Sequence, residues 1–146
     1  MEKRVNRLVS AYNGDGCVLT ISCALKYDMV TVWRKANNYD DPTDVTYEIS
    51  WWSGRSSSAS EVREFAEALL EADKFIHSVK THKVYVVEWE QDGERCWQGV
   101  LAGNPFAART VLEQIVANIR SENPDIDHEL SFEVALRVGE WSELGG

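Results

Sequence analysis

Residues 83–101, KVYVVEWEQDGERCWQGVL, constrain the fold more than any other stretch of this chain. Two runs rich in β-branched and aromatic residues flank Asp92-Gly93, a pair suited to a two-residue type I′ turn. Counting outward from that turn sets a register. Gln91 falls opposite Glu94, Glu90 opposite Arg95, Trp89 opposite Cys96, Glu88 opposite Trp97, and Val87 opposite Gln98. Side chains alternate across a strand, so Tyr85, Val87, Trp89, Cys96 and Val100 share an apolar face. Glu88, Glu90, Arg95 and Trp97 share the other. The opposite charges of Glu90 and Arg95 across the strands support this register.

An apolar hairpin face must be covered, and two stretches have the period to do it. Ser58-Ala59-Ser60-Glu61 has the form of a capping box, with serine at the cap and glutamate three residues on. A helix from about 59 to 78 follows, with Val62, Phe65, Ala66, Leu69, Ile76 and Val79 as its apolar stripe. Glu64, Glu67 and Glu71 fall near its opposite side. Asn104-Pro105 reads as a cap followed by proline in the first helical position. It opens a helix from about 105 to 120 whose stripe is Ala108, Val111, Leu112, Ile115, Val116 and Ile119.

The remaining apolar runs, CVLTISCAL, MVTVWRK, VTYEISWW and LSFEVALRV, alternate as strands do. Near the N-terminus, Val5, Leu8, Val9 and Tyr12 have helical spacing, and Gly14 is available as a stop. That spacing predicts a short N-terminal helix, with a strand as the other reading. Short connections and hairpins imply a mostly antiparallel sheet. The expected fold is therefore α+β: a single two-layer domain over residues 1–146, with about six strands and both long helices packed on one face.

The 146 residues, 44% of them hydrophobic, suit a globular core and exclude a disordered chain. No apolar run approaches the roughly 18 residues that span a membrane, and MEKRVNRLV leads into no signal-peptide core. A soluble, cytoplasmic protein is expected. The net charge of −9 is unevenly placed: residues 1–58 carry seven basic and seven acidic groups, whereas residues 59–146 carry eight and seventeen. Such a surface repels nucleic acid and anionic membranes and favours a basic partner or simple solubility.

Catalytic patterns are missing from the chain. The stretch SWWSGRSSS has one glycine and no lysine, so it lacks the spacing of a phosphate loop. Ser53 and Ser56 lie outside any nucleophile-elbow pattern. His77, His82 and His128 form no metal-ligand motif, and the odd, scattered Cys17, Cys23 and Cys96 suit buried thiols better than zinc or disulfides. The acidic loops NNYDDPTD and DIDHE lack the glycine and glutamate of a calcium-binding loop. No cofactor or metal is expected.

Tryptophan is what remains, and six in 146 residues is many for a small domain. Alternation places Trp51 and Trp89 on core faces. It places Trp33, Trp52 and Trp97 among polar neighbours, where exposed aromatics act as binding anchors. The leading expectation is a non-catalytic acidic domain that docks on a basic protein. Its size and charge are those of inhibitors and immunity proteins, an analogy of composition and not of motif. The expected contact residues are Trp33, Trp52, Trp97, Glu64, Glu67, Glu71, Glu88 and Glu90. The alternatives are a small-ligand binder or enzyme with a pocket near the Ser53–Ser58 loop, and a homo-oligomer joined through the tryptophan face.

Overall fold

A computed structural model describes residues 1–22, 28–38, 41, 44–51, 58–91, 93–122 and 138–140. Eight strands and two helices lie among them: β1 (Glu2–Val5), β2 (Leu8–Val9), β3 (Gly16–Ser22), β4 (Asp28–Ala36), β5 (Val45–Trp51), α1 (Ala59–Val79), β6 (Lys83–Gln91), β7 (Glu94–Ala102), α2 (Pro105–Glu122) and β8 (Val138–Glu140). The α+β class stands. The strands divide, however, between two four-stranded antiparallel sheets of order β1-β3-β4-β5 and β2-β7-β6-β8, where a single sheet of about six strands was expected. The N-terminal helix gives way to β1 and β2. Val5 pairs with Leu19 in one sheet, and Leu8 with Val100 in the other. Distant partners override the local period.

The chain forms two compact units, each discontinuous in sequence: Met1–Asn6 with Asp15–Thr81, and Arg7–Gly14 with His82–Gly146. In the first unit, Val18, Leu19, Thr20 and Ile21 of β3 are all buried, as befits an inner strand. α1 packs over β4 and β3, and a Lys3–Glu71 ion pair sets it on the face that carries Ile21 and Val30. Ser58 caps this helix as expected. The Glu61 amide donates to Ser58 Oγ at 3.3 Å, and Ser58 Oγ donates to Glu61 Oε1 at 3.1 Å. The buried stripe is rotated from the expected one. Ala68, Ala72 and Val79 are buried, whereas Val62 is 55% exposed and Ala66 is exposed. Alanines let the helix approach the sheet closely, and Phe65, Leu69 and Ile76 wedge along the flanks half-buried.

The second unit follows the sequence closely. The β6–β7 register runs from Gln91↔Glu94 through Val87↔Gln98 as counted from the turn, and Gly93 has a φ of +76°, the left-handed region that glycine favours. Asp92 lies outside the described residues. Asn104 Oδ1 accepts from the Ala107 amide at 2.8 Å to cap α2. Ala108, Leu112 and Val116 then bury against Tyr85, Val87, Trp89 and Val100. Gly99 sits where the chain crosses over β7. A Cβ there would meet Val9 O at 2.9 Å, Ser10 O at 3.0 Å and Ala11 Cα at 3.1 Å. All three are backbone atoms with little room to move.

Among the described residues, no helix is long and apolar enough to cross a membrane.

Candidate functional site

In the second unit, β2 covers only the base of β7, pairing Leu8 with Val100 and Val9 with Gly99. The hairpin runs on past it towards Gly93. On the face opposite α2, the base of this hairpin is apolar and buried through Val84, Val86 and Leu101. Its far half is polar. Trp97 stands there 58% exposed, directly across from Glu88, with Glu90 opposite Arg95; Glu94, exposed at the turn, belongs to the other face by alternation. The ion pair of Arg95 is diagonal: Nη2 lies 3.6 Å from Glu88 Oε2, not from its cross-strand neighbour Glu90. Glu88 is only 13% exposed, and its Oε2 accepts no hydrogen bond. The tryptophan therefore stands in an acidic setting, across from a carboxylate whose Oε2 lacks a hydrogen bond.

Behind this face, Trp89 is 9% exposed in the core, and its Nε1 also lacks a hydrogen-bond partner. Cys96 opposite it is a partly buried free thiol.

The other expected contact residues are dispersed. Trp33, 42% exposed, belongs to the first unit, where its Nε1 donates to Thr31 Oγ1 at 3.1 Å and its cross-strand neighbour is Glu48. Glu48 pairs with Lys35 at 2.8 Å and raises the lysine pKa, first through their hydrogen bond and then through charge. This surroundings is nearly neutral. Alternation along β4 puts Trp33 on the face away from Val30 and Val32, hence away from α1.

Glu64 and Glu71 are engaged within the fold. Glu64 lies 3.6 Å from the terminal amine of Met1; Glu71 lies 2.9 Å from Lys3 Nζ and 3.8 Å from Lys74 Nζ. Lys3, through its hydrogen bond above all, holds the Glu71 carboxyl below its ordinary range. Glu67 is exposed. Trp52 and the loop at 53–57 lie outside the described residues, as do Cys23 and His128.

Trp51 corrects the sequence reading. It is 57% exposed, not core, although it shares the α1 face by its register with Val30. β5 is the edge strand, and α1 lies over β4 and β3. Alternation assigns a face but cannot say whether a helix reaches that far.

On the α1 side of the same sheet, Arg34 is buried and hydrogen-bonded to Tyr47. Burial pushes the Tyr47 hydroxyl pKa up, and Arg34 partly opposes it. His77 Nδ1 lies 2.9 Å from the Asp73 carbonyl at the end of α1. His82 Nδ1 is buried without a hydrogen-bond partner, and the ring lies 3.6 Å from where a Cβ on Gly103 would stand. Burial, and secondarily the charge of Arg7, lower its pKa. Among the described residues, no three His, Cys, Asp or Glu side chains are grouped to hold a metal ion.

No protein-family model, curated protein or solved structure matches the chain.

Proposed function

We propose that this chain is a non-catalytic binding protein that docks on a basic partner protein through an acidic surface, in the manner of an inhibitor or immunity-type protein. The observation that carries the reading is Trp97, 58% exposed on the far half of the hairpin beside Glu88 and Glu90. An indole that leaves more than half its surface in water contributes little to folding, and such residues are enriched at interface centres. The carboxylates around it attract a cationic surface and speed the encounter. The acidic bias of residues 59–146 extends the same attraction.

The test begins with affinity capture on the immobilised protein, followed by association kinetics with the stoichiometric partner recovered. The association rate is expected to fall steeply between low and high salt, because screening removes steering. Reversing Glu90 and Glu94 to lysine slows it further. These two suit the test better than Glu64 and Glu71, whose ion pairs to Met1 and Lys3 hold the N-terminal segment against α1. An association rate indifferent to salt removes the electrostatic basis of the proposal, and recovery of the chain alone, as a self-associating species, replaces it with an oligomeric role.

A further inference from the structure

We infer that the outer edge of β7, from Glu94 to Gln98, accepts an extended basic segment of the partner as an added β-strand. The inference rests on the acidic-docking reading above and specifies how the docking is made. Its basis is the phase of the main-chain hydrogen bonds. The Leu101 amide donates to the Arg7 carbonyl at 2.7 Å, and Val9 pairs with Gly99. Residues 99 and 101 therefore turn their N–H and C=O groups towards β2.

In an antiparallel ladder, every second residue turns the same way. Trp97 and Arg95 thus direct their main-chain groups to that same edge, one and two steps beyond the end of β2. β2 does not follow them there. After Val9 the chain turns over Gly99, and the Gly14 amide closes the turn on the Ser10 carbonyl at 2.8 Å. Among the described residues, no strand pairs with β7 beyond Gly99. β2 is thus a strand that stops short, and among the described residues no strand occupies its continuation, which is a track for main-chain pairing.

The side chains beside the track select the occupant. Trp97 offers an apolar surface next to it; on the same face Glu88 and Glu90 outnumber Arg95, which is itself drawn to Glu88, and Glu94 adds a carboxylate on the other face. An incoming strand with lysine or arginine at alternate positions brings its cations towards Glu90 on one face or Glu94 on the other. A second copy of this edge would instead bring acidic sets together, and like charges across strands are destabilising.

The experiment uses the full chain and a labelled octapeptide of alternating lysine and threonine. Two controls accompany it: the same peptide N-methylated at the positions that would donate to β7, and an alternating glutamate–threonine peptide. Affinities are read by fluorescence anisotropy for the wild type, Arg95→Ala and Arg95→Pro. Arg95→Pro deletes the outward amide without touching a bond to β6, a placement that edge strands accommodate.

The basic peptide is expected to bind the wild type, and to bind Arg95→Ala as well or better. N-methylation and Arg95→Pro are each expected to weaken binding about tenfold, the scale of a lost main-chain bond or two. Equal affinity for the methylated peptide overturns strand addition while leaving charge-driven docking in place. That comparison decides alone if Arg95→Pro fails to fold. No preference for the basic peptide over the acidic one, or no binding of either, overturns both the inference and the docking reading beneath it.

Discussion

Replacing the two tryptophans of the second hairpin separates a folding residue from a binding residue. A fully covered tryptophan hides about 250 Å². Trp97 is 58% exposed and Trp89 9%, so they hide roughly 100 Å² and roughly 230 Å² on that scale. At about 25 cal/mol per Å², the upper limits are about 2.5 and about 6 kcal/mol. The denatured chain already covers part of this area, which brings Trp97→Ala to about 1–2 kcal/mol, against about 3–5 kcal/mol for a core tryptophan. Trp89→Phe gives a further handle. It removes an indole N–H that is buried without a partner, a defect that costs about 1–3 kcal/mol in the native protein. The smaller ring is therefore expected to lose less than half of what alanine loses. Urea unfolding followed by far-ultraviolet circular dichroism measures all three, with m values compared to establish that one transition is being read. An unfolding midpoint for Trp97→Ala shifted as far as that for Trp89→Ala would refute the assignment of Trp97 to a binding face. A Trp89→Phe variant as damaged as Trp89→Ala would refute the argument from the orphaned N–H.

Ser58→Ala is expected to cost about 1 kcal/mol, through loss of the bond from the Glu61 amide, and to leave partner binding unchanged; chemical denaturation and the association assay check the two halves. Gly99→Ala is expected to destabilise by about 1–3 kcal/mol, because the new methyl meets main-chain atoms that cannot rotate away; a melting temperature equal to wild type refutes the close approach. His82 has a folded-state pKa below its ordinary 6.5, so the unfolded chain binds more protons around that pH and stability rises with pH through the window. Cooling the comparison to one residue, the wild type is expected to lose stability as pH falls through 6.5 and below, and His82→Gln to show a flatter profile over that range. A steeper profile in the variant reverses the sign and rejects the explanation.

The parts of this fold that are legible in sequence are those whose information is local. Asp92-Gly93 fixes the β6–β7 register because a hairpin's pairing is counted from its turn, and Ser58 and Asn104 announce their helices because a cap bonds within three residues. The N-terminus is the opposite case. Val5, Leu8, Val9 and Tyr12 fit a helix, and the choice falls to Leu19 and Val100, which lie far along the chain. Alternation likewise gives each strand two faces without naming its neighbours, so the division into two sheets is invisible to it. The same limit governs the surface residues. The exposure of Trp33 and Trp97 follows from their polar neighbours. Trp51 looks buried by its alternation, and the exposed indole follows only from where α1 lies. Glu64 and Glu71 look like solvated helix charges until the terminal amine and Lys3 are placed beside them.

The short strand at Leu8–Val9 has a consequence for the order in which this chain acquires its structure. The hydrogen bond from Gln98 to the Val9 carbonyl spans 89 positions. Closing so long a loop is not costly at equilibrium, since each doubling of length adds only about 0.6 kcal/mol, but contacts between distant residues slow folding. At roughly 5–20 residues per second of synthesis, Leu8 and Val9 wait several seconds before Gly99 and Val100 exist. Glu2–Val5 finds Leu19 to Ser22 almost at once. The nine N-terminal residues are thus an early clamp for one sheet and a late one for the other. Their loss strips an edge strand from both, so trimming the chain by less than a tenth is expected to damage units whose remaining residues are untouched.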